Sequence, residues 1–233
     1  MKLHRFFMPF NYADAEVALH FADLAHQLQK VFRLGNGDRL VLCDGMRNEV
    51  VAEITELGKE TVRADIIERT VNNNEPLISA ALYLAILKRE NFELAVQKAV
   101  EVGIAEIIPL TTQRTVKSGL NIERLQKIAK EAAEQSGRGI VPQVKNICTF
   151  ESAVRSAAKQ GSVILFDSSG DAIKRAVRKY AHSVGIFIGP EGGFAEEEVL
   201  LAKQNNFSIA SLGKLTLRAE TAAAVASYLI VQG

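Results

Sequence analysis

The stretch "VGIFIGPEGGF", residues 184–194, joins a short hydrophobic run to a loop that holds three glycines, a proline and a glutamate. The run has the length and composition of a buried parallel strand, and "AEEEVLLAKQNN", residues 195–206, follows it with helical periodicity. Glycines in such a loop let backbone N–H and C=O groups approach a ligand, because no Cβ stands in the way. The order strand, glycine loop, helix therefore predicts one unit of an α/β sheet. The loop itself is either an ordinary surface turn or a ligand loop.

The same alternation of strands and helices occurs on both sides of this unit. Strands are predicted at "SAALYLAIL" (79–87), "AEIIPL" (105–110), "SVILF" (162–166) and "FSIASL" (207–212). Helices are predicted at "NFELAVQKAVEVG" (91–103), "NIERLQKIAKEAAEQSG" (121–137), "DAIKRAVRKY" (171–180) and "AETAAAVASYLIV" (219–231), with Asn91 and Asn121 as caps of the first two. This repetition predicts an α/β domain, in which a parallel sheet is covered by helices on both faces.

The first 70 residues follow a different pattern. "DRLVLCDG" (38–45), "NEVVAEITEL" (48–57) and "ETVRADIIER" (60–69) are strand-like runs separated by turn residues, and "ADLAHQLQKVFRL" (22–34) has helical spacing. This pattern fits a small β-barrel with one helix. "VNNNEP" at 71–76 is polar, ends in proline and is typical of a linker. We therefore predict two domains, residues 1–72 and residues 73–233.

Composition limits the class of protein and its partners. Hydrophobic residues make up 48% of the 233 residues and charged residues 24%, which is typical of a globular protein. No apolar run is long enough to span a membrane or to form a signal segment, so we expect a cytoplasmic protein without a membrane partner. The four histidines have no metal-ligand spacing, and the two cysteines, Cys43 and Cys148, lie in unrelated contexts. We therefore expect no metal and two buried free thiols.

Charge distribution is more informative than the net charge of +1. Residues 111–150 contain more lysine and arginine than glutamate, which is compatible with an RNA-binding surface. A solvated helix face explains the same excess equally well.

Three predicted loops follow the last three strands, where ligands bind in open α/β sheets. They are "DSSGD" (167–171), "GPEGGF" (189–194) and "GKLTLRAE" (213–220). Glu196, Glu197 and Glu198 follow the second loop in the first helical turn, which makes that helix start a poor site for an anion. A ligand held there is expected to be neutral or cationic.

Several segments together resemble the RsmE family of ribosomal RNA small-subunit uridine N3-methyltransferases, in the SPOUT superfamily. The matching stretches are "RFF" (5–7), "VFRLGNGD" (31–38), "FELAVQKAVEVGIAEIIPLTTQRTV" (92–116), "EAAEQSGRGIVPQV" (131–144), "IGPEGGF" (188–194) and "LTLRAETAAAVA" (215–226), of which the last two are the most specific. The resemblance implies a SPOUT-type trefoil-knotted parallel sheet and a PUA-like N-terminal β-barrel that binds RNA. It also implies a homodimer that uses S-adenosyl-L-methionine to methylate N3 of a uridine in 16S rRNA, either free or in the small ribosomal subunit.

The resemblance further implies the roles of individual residues. The cofactor would lie among three knot loops, against Leu165, Phe166, Ile188, Gly189, Pro190, Glu191, Gly192, Gly193, Leu212, Gly213, Leu215, Leu217, Arg218 and Thr221. Because "LFDSSGD" (165–171) departs from the family pattern, the backbone around Leu165 and Phe166 is preferred to the side chain of Asp167.

Arg218 is the main catalytic candidate, because its fixed charge could stabilise a uracil anion; a salt bridge to Glu220 is the alternative. Glu191 and Glu220 are the candidates for the general base. Arg5, Arg33, Arg114 and Arg138 are the candidates for contacts to RNA phosphates, with surface solubility as the alternative.

Two other functions remain open at this point. One is another SPOUT RNA methyltransferase, which would modify a ribose 2′-oxygen or a different base. The PUA-like N-terminal part and "EAAEQSGR" (131–138) disfavour it. The other is a non-catalytic RNA-binding protein with the same fold, which the intact glycine loops and Arg218 disfavour.

Overall fold

A computed structural model describes residues 3–19, 22–116, 119–159, 161–173 and 182–232. The chain folds into two compact units. Unit 1 contains Met1–Glu75 and Ala133–Val141, and unit 2 contains Pro76–Ala132 and Pro142–Gly233. The sequence pattern did not predict that residues 133–141 belong to unit 1. A domain boundary between residues 72 and 73 stays a prediction.

Unit 1 is built on a five-stranded sheet. Its elements are β1 (His4–Phe7), β2 (Glu16–Leu19), α1 (Ala22–His26) with a π-helical turn at Gln27–Val31, β3 (Arg39–Cys43), β4 (Asn48–Leu57) and β5 (Val62–Val71). The strand order is β1-β3-β4-β5-β2, with β1 parallel to β3 and the other neighbours antiparallel. The predicted small β domain is confirmed. Among the described residues no pairing joins β1 to β2, so closure into a barrel stays a prediction.

Alternating side chains form the core of unit 1. Leu40 and Leu42 of β3 and Ile54 of β4 point to one side of the sheet, where they pack with Leu24 and Leu28 of the helical segment. This is the period-two pattern expected of strands that bury one face.

Unit 2 is built on a parallel sheet. Its elements are β6 (Ser79–Ala85), α2 (Arg89–Glu101), β7 (Glu106–Thr111), α3 (Ile122–Ser136), β8 (Gln143–Val144), β9 (Cys148–Thr149), α4 (Phe150–Ala157), β10 (Ser162–Ala172), β11 (Ser183–Ile188), α5 (Glu196–Gln204), β12 (Ser208–Ser211) and α6 (Ala219–Gln232). The strand order is β12-β10-β11-β6-β7-β8, and β9 also pairs with β7. All of these pairings are parallel, as the sequence predicted. The strand pairings do not trace the threading of the chain end, so the trefoil knot stays a prediction.

Helices cover both faces of this sheet. On one face Tyr83 of β6 stacks on Phe187 of β11, with ring centroids 4.3 Å apart, in a cluster with residues of α4 and α5. The alternate residues Leu82 and Ile186 are also buried, and β6 and β11 contact α6, which packs on α2. Burial of both faces explains why these strands are continuous hydrophobic runs.

One of the two predicted helix caps is correct. Asn121 Oδ1 accepts a hydrogen bond from the Arg124 N–H at 2.9 Å, as expected of a cap residue at the start of α3. The cap predicted at Asn91 is wrong, because α2 begins at Arg89. Arg89 and Glu90, which begin that turn, are exposed, so water can satisfy their N–H groups, and the Phe92 N–H donates to the Lys88 carbonyl.

The predicted loop at 167–171 is only partly correct. Phe166 pairs with Ala210 of β12, and after a register shift Asp171 pairs with the same residue, so residues 167–170 form a bulge within β10. A Cβ on Gly170 would lie 2.6 Å from backbone atoms of Ala210, so only glycine fits there. Asp171 and Ala172 therefore extend the strand instead of starting a helix. The rest of the predicted helix, from residue 174, lies outside the described residues.

The cysteines are free thiols. Cys43 is fully buried, and burial raises the pKa of its thiol to about 12. Burial also raises the pKa of the half-buried Cys148. Both thiols therefore stay protonated near neutral pH, which makes them poor nucleophiles.

The described residues form neither a metal site nor a membrane-spanning helix. No group of three or more His, Cys, Asp or Glu side chains among them is arranged to hold a metal ion. No helix in that part of the chain is long and apolar enough to cross a membrane.

Candidate functional site

A cavity of about 510 Å³ opens beside the bulge of β10 and the carboxyl ends of β11 and β12. This volume is typical of small-molecule sites, and the carboxyl edge of a parallel sheet is where such sites form. The cavity is lined by Phe166, Asp167, Ser168, residues 188–193, residues 211–219 and Ala222. Its walls therefore come from the three segments that the sequence predicted to be ligand loops.

Most of the residues expected to hold the cofactor lie on this cavity. Phe166, Ile188, Gly189, Pro190, Glu191, Gly192, Gly193, Leu212, Gly213, Leu215, Leu217 and Arg218 all line it. Leu165 does not, because the alternation along β10 turns its side chain into the core cluster beside Phe187. Thr221 does not line it either, because its position on α6 is exposed and turned away from Ala219 and Ala222.

The loop after β11 folds into a compact turn. The Gly193 N–H donates to the Pro190 carbonyl at 2.8 Å, and Gly193 has a φ of +70°, a conformation that favours glycine. A Cβ on Gly189 would lie 3.2 Å from backbone atoms of Gly193 and Phe194. The glycines therefore serve the close approach of backbone to backbone as well as access to the cavity.

The N-terminus of α5 is capped by the carboxylate of Glu198, a residue of the same helix. Glu198 is buried, and its Oε2 accepts from the Ala195 N–H at 2.8 Å while its Oε1 accepts from the Gln113 N–H at 2.9 Å. Glu196 and Glu197 are exposed beside it. An anionic ligand is disfavoured here, because the helix N-terminus already holds negative charge.

Charged side chains of both signs line the cavity. Asp167 and Glu191 supply carboxylates, and Lys214 and Arg218 supply cations. Asp167 is held in one orientation, because its Oδ1 accepts from the Ser169 N–H at 2.9 Å and from the Ser169 hydroxyl at 2.6 Å. Such a lining suits a ligand that carries both charges.

Arg218 and Glu220 are placed differently although they are two residues apart. Arg218 is exposed at the cavity, and no ion pair of its guanidinium is found in the described part of the chain, including the expected alternative with Glu220. Glu220 is buried on another side of α6, and its Oε2 has no hydrogen-bond partner among the described residues. Of the two candidate bases, only Glu191 lies on the cavity.

The four arginines proposed to contact RNA fall into two groups. Arg5 forms an ion pair with the buried Glu49, and Arg138 is paired with Glu75 through Nη2 and Oε2 at 2.6 Å, with only 6% of the arginine side chain exposed. Both pairs lie within unit 1, so the structure assigns these two arginines to packing. Arg33 and Arg114 are exposed. Arg114 also donates to a backbone carbonyl of the cavity loop.

Some residues of the site were not predicted. Asp167, Ser168, Ser211, Lys214, Thr216, Ala219 and Ala222 line the cavity without having been named as contacts. Most of them fall within the loops predicted at 167–171 and 213–220. Their position in these loops was the sequence signal that could have identified them. The buried role of Glu198 has no sequence signal, because its partner Gln113 is 85 residues away.

Comparison with protein families gives two matches. A family model described as an RNA methyltransferase domain matches residues 73–231. A second model, described as an RNA methyltransferase PUA domain, matches residues 23–67. The first covers more than half of the chain.

Individual proteins and structures agree with these matches. Ribosomal RNA small subunit methyltransferase E of Rickettsia conorii is 32% identical, over 97% of this chain and 94% of that protein. A structure of the enzyme of the same name from Neisseria gonorrhoeae, bound to S-adenosyl methionine, superposes with a TM-score of 0.90 at 27% identity, covering 98% of this chain and 96% of that one. A putative methyltransferase from Legionella pneumophila in complex with the cofactor SAM also has a TM-score of 0.90, at 28% identity and 99% and 97% coverage.

Proposed function

Because the chain belongs to the RNA methyltransferase family, we propose that it methylates N3 of a uridine in 16S rRNA of the small ribosomal subunit. S-adenosyl-L-methionine is the methyl donor in this proposal. The observation that carries it is the cavity beside the β10 bulge and the ends of β11 and β12, which is lined by glycine-rich backbone and by both signs of charge. The protein would act in the cytoplasm, where ribosomal subunits are assembled.

The cavity fits the proposed cofactor in size and chemistry. Phe166, Ile188 and Leu217 offer apolar surface to an adenine ring, and the backbone of the two glycine-containing loops offers peptide groups to its polar edge. The methionine part carries an ammonium, a sulfonium and a carboxylate. The Asp167 carboxylate and the Lys214 ammonium match these charges, which leaves Glu191 and Arg218 free to act on the target base.

The reaction requires the uracil N3 proton to leave, because the N3 lone pair is otherwise unavailable for bonding. When bound, the cofactor supplies an electrophilic methyl group on a positively charged sulfur. Arg218 stabilises the negative charge that develops on the uracil ring, because its guanidinium stands at the cavity without a competing ion pair among the described residues. In this proposal Glu191 accepts the N3 proton, which is supported by its position on the cavity wall.

Alignment of the reactants supplies much of the remaining acceleration. Holding two reactants in line can contribute roughly 7–11 kcal/mol to lowering the barrier. The target base must leave its stack to enter the cavity, as in other enzymes that act on bases. Unit 1, which contains the PUA match, supplies RNA affinity in this proposal, with Arg33 as one exposed cation that can reach a phosphate.

The test is a methylation assay on small ribosomal subunits from a strain that lacks this enzyme, followed by mass analysis of nucleosides. We expect 3-methyluridine to appear in 16S rRNA only when both the protein and S-adenosylmethionine are present. Methylation of a ribose oxygen or of another base would support a different SPOUT RNA methyltransferase. Calorimetry that shows no cofactor binding by the folded protein would support a non-catalytic RNA-binding protein.

We further propose that the protein is a homodimer through α6. Val225, Tyr228 and Leu229 lie on one side of this helix and are 36%, 56% and 39% exposed. A cluster of exposed apolar side chains on a helix that is otherwise packed is typical of an interface. The adjacent cavity would then lie close to the partner copy, since Ala219 and Ala222 belong to the same helix.

A charge placed on this surface should dissociate the dimer. We expect Tyr228→Lys to elute as a monomer in size-exclusion chromatography with light scattering, because an unpaired ammonium in an apolar interface is costly. Leu200→Lys is the control, since Leu200 is 56% exposed on α5. A wild-type protein that is already monomeric at micromolar concentration would contradict the proposal.

A further inference from the structure

Arg114 contacts the cavity loop at residues 189–194 directly, although the sequence suggested an RNA phosphate as its partner. Its Nη1 donates to the Gly192 carbonyl oxygen at 2.7 Å, across 78 residues of sequence. The Cδ of Arg114 also lies 3.5 Å from the position that a Cβ on Gly192 would take. The side chain therefore lies along the outside of the 190–193 turn, and Gly192 lines the cavity.

The backbone that carries Arg114 is itself held in place. The Thr115 hydroxyl accepts from the Thr112 N–H at 2.9 Å, which closes a small turn around residues 113 and 114. The Gln113 N–H donates to Glu198 Oε1, and the other oxygen of Glu198 accepts from the Ala195 N–H. Glu198 thus links the 112–115 turn to Ala195, which follows the cavity loop. Arg114 links the same turn to Gly192 within that loop.

These contacts fix one peptide plane at the cavity wall. The Gly192–Gly193 peptide has its oxygen bound by Arg114 and its N–H bound to the Pro190 carbonyl. A glycine peptide with free ends rotates easily, whereas a peptide held at both ends does not. A hydrogen bond from a charged guanidinium is also stronger than one between neutral groups.

We propose that Arg114 is a positioning residue, which sets the 190–193 turn in the form that binds S-adenosylmethionine before RNA arrives. This inference rests on the proposed function, because it assigns the cavity to that cofactor. An RNA-phosphate role for Arg114 makes a different prediction. It requires Arg114 only when RNA is present, whereas the positioning role requires it for cofactor binding alone.

The experiment is calorimetry of S-adenosylmethionine binding to the full chain without RNA. We expect Arg114→Met to raise the Kd about 10-fold, since a charge-assisted hydrogen bond that orders the site is lost. Arg114→Lys should recover part of the affinity, because an ammonium can still donate one hydrogen bond to the carbonyl. In methylation assays, the KM for the cofactor should rise while kcat at saturating cofactor stays close to the wild-type value.

The matched control is Arg124→Met. Arg124 is an exposed arginine of unit 2 that also donates to a fixed partner, Glu93, but it does not line the cavity. We expect its loss to leave cofactor affinity unchanged. The melting temperatures of both methionine variants should stay close to that of the wild type, because both side chains are exposed.

The possible outcomes separate this inference from the proposed function. Unchanged cofactor affinity in Arg114→Met, together with weaker RNA binding, would overturn the positioning role and support a phosphate contact. If Arg114→Met does not fold, Arg114→Ala carries the test, since it also removes the hydrogen bond to Gly192, and wild-type affinity and wild-type cofactor KM in that variant would also overturn the inference. A wild-type protein that binds no S-adenosylmethionine would instead refute the proposed function.

Discussion

Arg218→Ala is expected to lower turnover about 10²- to 10³-fold, the effect of removing one preorganised group that stabilises transition-state charge. Cofactor affinity should change by no more than about twofold, because the charge acts on the uracil ring as it loses its proton. Single-turnover methylation of small subunits measures the first quantity, and calorimetry with S-adenosylmethionine measures the second.

Arg218→Lys is the matched variant for this prediction. It keeps the positive charge and loses the planar guanidinium, so we expect an activity between those of the wild type and the alanine variant. Equal losses of turnover and of cofactor affinity in Arg218→Ala would assign Arg218 to cofactor binding instead of catalysis.

Arg138→Met is expected to lower the free energy of unfolding by about 3–5 kcal/mol, because it leaves a buried carboxylate without its cation. The partner Glu75 is 8% exposed, and besides Arg138 it accepts from the Gly139 and Ile140 N–H groups at 3.0 Å and 3.2 Å. These neutral donors offset only part of the lost charge. Chemical denaturation followed by circular dichroism measures the change.

Arg33→Ala is the control, because Arg33 is exposed and belongs to the same unit. Its effect on stability should stay within about 0.5 kcal/mol, the usual range for surface substitutions. An Arg138→Met protein that is as stable as the wild type but binds RNA more weakly would show that Arg138 contacts RNA after all.

Five strands of unit 2 (β6, β7, β10, β11 and β12) and four of its helices (α2, α3, α5 and α6) were predictable, because most of these strands are buried on both faces and these helices on one, whereas β8, β9 and α4 were not predicted. A parallel strand is then a continuous hydrophobic run, and a helix shows a period near 3.6, so both signals lie within about ten residues of sequence. The bulge at 167–170 was missed, because it depends on the register against Ala210, some 40 residues further along the chain. β1 and β2 were missed for a related reason, since each is only four residues long.

The wall of the candidate site was largely predictable from three loops, because glycine and proline mark such loops directly in the sequence. The roles of single charged residues were less predictable from the sequence. Glu220 and Arg218 are two residues apart, yet the turn of α6 buries one and brings the other to the cavity. Leu165 and Phe166 are adjacent, and only Phe166 lines the site.

The sequence by itself determined most of the longer strands and helices, the glycine-rich loops and the family, because each is carried by residues close together in the chain. Only the tertiary structure decided which arginines are free to meet a ligand. Arg5 and Arg138 are neutralised by Glu49 and Glu75, and Arg114 binds Gly192, at sequence separations of 44, 63 and 78 residues. Partners that far apart leave no periodic trace in the sequence, so the exposure and pairing of a charge become known only once the chain is folded.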